Sequence, residues 1–462
     1  MNQRPSTDHQ SAEERHARGR ERRKAVPRSS LGEWAAGPDR RDPVALIEEQ
    51  NADRLPWLVP VRHGRMGVSA FTFYRGAARI MATDLATTPT TGLMVQACGD
   101  AHLSNFGAYA SPERRLVFDL NDFDETRTGP WEWDVKRMAA SFTICGRDRG
   151  FTAAQCRSVA RRSAESYRDA MAEFAAMRTL DVWYAHATVD RITEAVSGKA
   201  VKRLGKFQRK AKSKDSLQAL SKLGEKVDGR LRIRSDPPVL VPLRDLPIED
   251  DPEELESDAR LGFASYRESL ADNRRRLLDR FEVIDVGLKV VGVGSVGTRC
   301  LIVLLLGRDG DDPLFLQIKE ATNSVLDEHL PPSRYENQGE RVVRGQRLMQ
   351  ATSDVLLGWS APDRRGPHFY WRQLKDWKGS ANLDKATPKR LEGYASLCGW
   401  TLARAHARSG DPVAIAAYLG SGDVALDAIA DFSEAYADQN EGDYRAFTEA
   451  IASGRIEATT AE

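Results

Sequence analysis

The chain has 462 residues, 41% of them hydrophobic and 29% charged, and a formal net charge of +1. That length asks for two or three lobes in place of a single core, and the near-neutral balance gives the molecule as a whole no electrostatic case for nucleic acid or a membrane surface. No apolar stretch, "CLIVLLLG" included, approaches the roughly 20 residues that span a bilayer.

Residues 1–45 are arginine-rich and broken by prolines, which reads as a mobile basic arm. They contain no apolar core of a secretory signal. The five cysteines (Cys98, Cys145, Cys156, Cys300, Cys398) are scattered and never spaced as CxxC, so we expect buried thiols in a cytoplasmic protein. From Pro43 the apolar periodicity predicts helices through "DPVALIEEQNADRLPWLVPVR" and "FTFYRGAARIMATDLA". Two strands, "GLMVQA" and "RRLVFDL", bracket the polar stretch "CGDAHLSNFG".

From "WEWDVKRMAASFTICGRD" to about residue 280 the pattern reads as helical. Within it, residues 199–214 carry eight basic side chains and no acidic one. That run reads first as a solvated face and second as an anion- or nucleic-acid-binding patch. Near Phe281 the texture turns β-branched and glycine-punctuated, with a turn at "GRDGDD", a helix in "GERVVRGQRLMQ" and a strand at "HFYWRQL", so antiparallel strands are expected. The end of the chain is helical again, most clearly in "YASLCGWTLARAHARSG". The expected division is an arm at 1–45, a first helical part at 46–280, a β-rich lobe at 281–378 and a second helical part at 379–462.

"GVGSVG", Gly292 to Gly297, matches GxGxxG, a weak signal alone. A dinucleotide-binding unit needs a helix to begin in that loop, whereas here the loop runs into the strand-like "TRCLIVLLLG". Strand, glycine loop, strand is the hairpin that covers ATP phosphates in protein-kinase-like enzymes, where backbone N–H groups approach because glycine has no Cβ. Gly292, Gly294 and Gly297 are therefore assigned to the nucleotide. Lys319, the single cation closing the apolar "LFLQIKEA", is assigned to its α- and β-phosphates.

Such a site also needs a carboxylate near the acceptor hydroxyl, and an amide oxygen and a second carboxylate on magnesium. "GDAHLSN" supplies Asp100 and Asn105, and "VFDLNDFDE" offers Asp119, Asp122 and Asp124, a density of carboxylates that a divalent cation would relieve. "GDAH" also contains the D-x-H that opens binuclear metallophosphoesterase sites. The further ligand clusters of such sites are missing, and the eight histidines are dispersed.

The run "CGDAHLSNFG…VFDLNDFDE…GPWEWDVKRMAAS" resembles the HGDxHxxN…DFD…YDLA run of aminoglycoside phosphotransferases and other small-molecule kinases. Over most of its length the chain resembles the bacterial family catalogued as domain of unknown function 2252, through "RGAA", "GDAHLSNFG", "NDFDE", "VGVGSVGTR", "QIKEA" and "LARAHARS". The kinase resemblance implies that Asp100 is the catalytic base, that His102 orients its loop, and that Asn105 and Asp122 hold the metal, with Asp119 a further metal candidate. It implies a structural role for Asp134 behind the catalytic loop. Cys98 stands where these kinases have the first histidine of the motif. "FYWRQL" resembles the hinge strand whose backbone reads adenine, which makes Arg372 and Gln373 nucleotide contacts. A glutamate paired with Lys319 is expected at Glu328, Glu336 or Glu340.

In ordinary kinases the glycine loop and lysine precede the catalytic loop; here they follow it, and "GWTLARAHA", similar to the helix that leads into that loop, lies near the C-terminus. The resemblance thus implies an α+β, bilobal protein-kinase-like fold, circularly permuted, with a small antiparallel-sheet lobe and a large helical lobe. The implied activity is ATP- and Mg²⁺-dependent transfer of a phosphoryl group to a hydroxyl of a small molecule or protein, with no membrane partner. A non-catalytic nucleotide-binding regulator and a nucleotidyl transferase are the alternatives. Arg62, Arg65, Tyr74 and Arg75 either line the acceptor pocket or pack helices. The arrangement requires Lys319 Nζ and the Asp122 carboxylate to lie within about 10 Å of each other.

Overall fold

Helix starts in this chain are written as side-chain caps. Thr152 and Gln155 satisfy each other's backbone at the start of Ala153–Ala176, and Asp411 followed by Pro412 opens Pro412–Leu419. The computed structural model describes residues 10–187, 216–245, 261–290, 292–361, 366–374 and 377–459. It is a mixed α and β molecule with small antiparallel sheets. Among the described residues no single helix is long and apolar enough to cross a membrane.

The main core joins both ends of the chain. Helices Trp131–Asp148, Ala153–Ala176, Pro388–Ala407 and Val424–Ala452 pack together, burying Met138, Val159, Leu402 and Phe432 in one apolar cluster. Trp131 stacks on Tyr167 with ring centroids 5.6 Å apart. On this core lie two short ribbons. Strand β1 (Met94–Ala97) pairs antiparallel with β4 (Arg127–Pro130), and β2 (Phe106–Ala110) with β3 (Leu116–Leu120). The segments between these strands, Cys98–Asn105 and Asn121–Thr126, emerge side by side.

The largest sheet has the order β11-β12-β10-β9-β8-β7, every neighbouring pair antiparallel. Its strands are β7 (Leu240–Pro242), β8 (Glu282–Lys289), β9 (Cys300–Leu306), β10 (Pro313–Ala321), β11 (Gly358–Ser360) and β12 (His368–Gln373). The unbroken apolar run of β9 follows from cover on both faces. Val303 and Leu305 pack with Tyr266, Leu270 and Trp371, while Ile302 and Leu304 pack with Ile233 and Phe315. Helix Gln338–Met349 connects β10 to β11 and lies against this sheet and the main core.

Three expectations are corrected. The first is the mobile arm: residues 12–25 form a helix with a Ser11–Glu14 capping box. Arg15 and Arg18 pair with Asp411, and Arg23 donates to the carbonyls of Ala417 and Tyr418. Gly19 lets the two helices touch, since a Cβ there would sit 2.1 Å from the Ala414 carbonyl oxygen. Arginines that read as solvated charge are partners of a helix almost four hundred residues away.

Second, residues 46–280 are not uniformly helical. A hairpin, β5 (Gly224–Val227) with β6 (Arg230–Ile233), and strand β7 fall inside them, so the sheet begins at Leu240 and not at Phe281. Third, the helix 261–268, read with the helical part, leads into the layer of Tyr266 and Leu270 that covers the sheet. The basic run 199–214 lies outside the described residues.

Candidate functional site

The segment Cys98–Asn105 is positioned from behind. Asp134, in the first turn of Trp131–Asp148, accepts the backbone N–H of Cys98 at 2.6 Å and of Gly99 at 2.9 Å. His406 bridges Asp134 at 3.1 Å and the Tyr167 hydroxyl at 2.9 Å, which ties the helix Pro388–Ala407 to this loop. Gly99 is required here: its φ is +82° and a Cβ would lie 2.3 Å from the Glu125 carbonyl oxygen. The second segment is stitched to the first by Asn105, whose amide nitrogen donates to the carbonyls of Asp100 and Asp122, each at 3.0 Å. That commitment leaves the Asn105 side-chain oxygen as the atom able to meet a cation.

Asp100 receives Arg137 Nε at 2.8 Å, and Arg137 is held in turn by the Tyr74 carbonyl at 2.9 Å. His102 caps the turn that follows, its Nδ1 accepting from the Ser104 N–H at 3.1 Å, while Nε2 faces Asp100 at 3.7 Å. Burial pulls the His102 imidazole down to about 4, so the ring is neutral at pH 7 and orients the loop without adding charge.

Lys319 lies on the face of β10 that also carries Phe315 and Gln317, and Tyr370 and Arg372 stand opposite on β12. Its ammonium contacts Asp122 at 3.1 Å and Asp124 at 2.5 Å. Burial acts against every one of these charges. Against burial, Lys319 and Arg372 hold the Asp122 carboxyl well below the usual carboxylate range, whereas burial and the Asp122 charge push Asp124 up. Tyr370 donates to Asp124 at 2.6 Å, and the Ser295 hydroxyl of the glycine loop donates to it at 3.3 Å. Two carboxylates share this one ammonium, and the Arg372 charge acts on them from the neighbouring strand.

Asp100, His102, Asn105, Asp122, Asp124, Gly292, Gly294, Lys319, Arg372 and Gln373 all line one cleft of about 1540 Å³. The Lys319–Asp122 distance of 3.1 Å meets the proximity that the motif order demanded. A Cβ at Gly292 would meet nothing, and one at Gly294 would find only the Arg75 carbonyl oxygen at 3.5 Å. Packing therefore does not ask for glycine at either place, and the room they leave opens onto the cleft. Gly297 differs: its φ is +92°, and a Cβ there would lie 3.0 Å from the Arg54 side chain, so it is a structural glycine outside the cleft lining. Arg54 clamps the loop by donating to the Gly294 carbonyl at 3.0 Å and to that of Val296.

Other assignments move. Asp119 does not reach the cleft: Arg404 and the Leu120 N–H share Oδ1, and the Ala351 N–H donates to Oδ2. Arg372 enters through its side chain, bonded to Gln317 and the Asn121 carbonyl, and not as a hinge backbone. The Gln373 N–H donates to Asp354 and the Leu374 N–H to Phe315, so both backbone donors of the expected adenine hinge are in use.

Among the described residues no glutamate pairs with Lys319. Glu340 meets Arg344, and Glu328 meets Arg79. From the connecting helix it is Arg341 that reaches this region, donating to the carbonyls of Asp124 and Thr126. Arg62 is spent on Asn51, Gln50 and the Gly76 carbonyl, and Tyr74 donates to the Arg137 carbonyl, so these two pack helices; Arg75 lines the cleft. The sequence reading passed over Arg137 and Arg341, since a single arginine in an amphipathic helix carries no local signal. Asp124 was visible as a surplus carboxylate in "NDFDE".

Among the described residues no three His, Cys, Asp or Glu side chains converge as a ready-made metal cage. Magnesium takes one or two carboxylates and completes its shell with water and phosphate oxygens. Asp122, Asp124 and the Asn105 oxygen are the donors that fit it. The family described as "uncharacterized protein conserved in bacteria (DUF2252)" matches residues 54–450. No curated protein and no solved structure matches the chain.

Proposed function

The chain belongs to the family of uncharacterized proteins conserved in bacteria (DUF2252), and we propose that it is an ATP- and magnesium-dependent phosphotransferase on a circularly permuted protein-kinase-like fold. The observation that carries this reading is the meeting of Lys319 with Asp122, at 3.1 Å, in a cleft that also holds Gly292, Gly294, Asp100 and Asn105. These residues come from two stretches nearly two hundred positions apart, and all of them face one space.

Magnesium, when bound with ATP, neutralises phosphate charge and holds phosphate oxygens in place. Lys319 is the residue for the α- and β-phosphates, and N–H groups of the Gly292–Gly297 loop cover them. Asp122, with Asn105, would hold the cation. Arg137 fixes the Asp100 carboxylate, which orients the acceptor hydroxyl and takes its proton. The new bond joins the acceptor oxygen to the γ-phosphorus. The bond from that phosphorus to the bridging oxygen breaks, and its electron pair leaves with ADP. General-base assistance contributes roughly 10²–10⁴-fold, and positioning supplies the rest.

The test is the melting temperature and ATP turnover of the full chain with and without magnesium, for the wild type and Asp122→Ala. Ligand at a hundredfold over its Kd stabilises by about 2.7 kcal/mol. The expected shift needs magnesium and disappears in Asp122→Ala. ADP as product identifies phosphoryl transfer, pyrophosphate identifies nucleotidyl transfer, and binding without either identifies a non-catalytic regulator. No shift at millimolar MgATP ends the reading.

A further inference from the structure

The cations of the cleft are almost all engaged by protein. Lys319 is held by Asp122 and Asp124, Arg372 by Gln317 and Asn121, and Arg149 by Asp148 and Asp384. Arg114 lies over the Trp377 ring, and Lys289 and Lys378 have partners of their own. Among the described residues, Arg75 is the one lysine or arginine of the cleft lining that makes no hydrogen bond and no ion pair. Its Nε is buried without an acceptor. A guanidinium offers five donors in a planar fork; the Arg75 side chain is half-buried at the cleft wall with only its Nε shut away from water, so the rest of the fork is available to a ligand that brings acceptors.

The position of Arg75 says which ligand. It lies in the last turn of the helix Ala70–Gly76, and its carbonyl oxygen is the nearest atom to where a Cβ on Gly294 would be, at 3.5 Å, so it adjoins the phosphate-covering loop. On the other side its charge acts on Asp100. Arg137 meets Asp100 at Oδ1 and gives its other donors to the Tyr74 carbonyl and to Met81, while Oδ2 has only His102 Nε2 at 3.7 Å; no hydrogen bond or ion pair joins Asp100 to Arg75. The group that passes between a phosphate loop and the carboxylate that positions the acceptor is the transferring phosphoryl, and its three oxygens match a free guanidinium fork.

We propose that Arg75 binds the γ-phosphoryl group of ATP and neutralises charge on it during transfer. This rests on the phosphotransferase reading above and adds to it a residue that separates ATP from ADP. Asp122 and Lys319 serve both nucleotides, while Arg75 serves only the one that carries the third phosphate.

The experiment titrates the full chain with MgATP and with MgADP by calorimetry, for the wild type, Arg75→Ala, Arg75→Gln and Asp122→Ala. Arg75→Gln keeps a polar side chain of similar reach and serves where the alanine variant does not fold. The expected result is MgATP affinity about tenfold weaker in either Arg75 variant, with MgADP affinity changed by less than about twofold. Asp122→Ala weakens both nucleotides together. If wild type binds both and the Arg75 variants lose nothing, or lose both equally, the assignment of Arg75 is overturned while the phosphotransferase reading stands. If wild type binds neither nucleotide, the phosphotransferase reading fails and the assignment falls with it.

Discussion

Asp119 and Asp122 sit three residues apart in "VFDLNDFDE", and each meets a buried cation from a distant segment. The Asp119–Arg404 pair is sealed, with side chains 3% and 1% exposed and every carboxylate oxygen taken by protein. At the other pair Lys319 is 3% exposed, but Asp122 is 41% and Asp124 27%, and one cation faces two acids. A sealed, balanced pair is a structural joint between the helix Pro388–Ala407 and the strand β3. An open pair whose carboxylates reach solvent can trade partners, as a site for cations and phosphates must. Their place in the chain separates them: Asp119 lies within strand β3 against the core, and Asp122 in the segment beyond the strand's end.

The contrast is broken most severely at the sealed pair. Arg404→Ala leaves Asp119 buried without its counter-charge, and the unfolding free energy should fall by about 3–5 kcal/mol in urea titrations. A fall below about 1 kcal/mol would show that Asp119 reaches solvent and that the two pairs are alike. At the open pair the expected pattern is reversed. Asp122→Ala should change stability by no more than about 1 kcal/mol, because Asp124 still holds Lys319, yet it should abolish a MgATP stabilisation of about 2.7 kcal/mol at saturating ligand.

Next in size is a pH effect at Glu125, beside the open pair. Burial, helped by the charges of Asp124 and Asp100, pushes its carboxyl up to about 7 from an ordinary 4.5, against the Val325 N–H and Arg341. A raised acid costs the folded state stability where the group is ionised. The cost is absent below the unfolded value, grows between about 4.5 and about 7, and is complete above that. Glu125→Gln should therefore stabilise by about 2 kcal/mol at pH 8 and by nothing at pH 4. Equal gains at both pH values would assign the effect to packing.

The smallest effect sharpens the same division within the glycine loop. Gly297→Ala should cost about 1 kcal/mol through its left-handed backbone and the nearby Arg54. Gly294→Ala should leave the melting temperature of the free protein unchanged and weaken MgATP binding. A stability loss at Gly294 as large as at Gly297 would make both glycines structural.

Much of the site was legible because its strings are short and local. The strand–glycine loop–strand reading of "GLKVVGVGSVGTRCLIVLLLG" needed only β-branched runs and turn residues, and the cap-and-turn chemistry of "GDAHLSN" needed only neighbours. Asp119 was misassigned because a strand's periodicity tells which residues share a face and not which face meets a distant helix. The Lys319 partner was sought among nearby glutamates, and found instead in acids almost two hundred residues upstream. The N-terminal helix was hidden because its contacts are arginine forks and a glycine, which resemble solvated chain to any measure of hydrophobicity.

By itself, then, the sequence settled what is decided over a few residues: caps, turns, apolar alternation, and the presence of Asp100, Asn105, Asp122 and Lys319 in recognisable strings. The tertiary structure decided what depends on pairing across the chain. It sealed Asp119 with Arg404, set Asp122 and Asp124 on Lys319, spent the backbone donors at Gln373 and Leu374 on Asp354 and Phe315, and left Arg75 with no hydrogen bond or ion pair among the described residues. The reason is physical. Backbone conformation is governed by local sterics and hydrogen bonds, whereas the fate of a charge depends on which opposite charge, and how much water, packing brings to it.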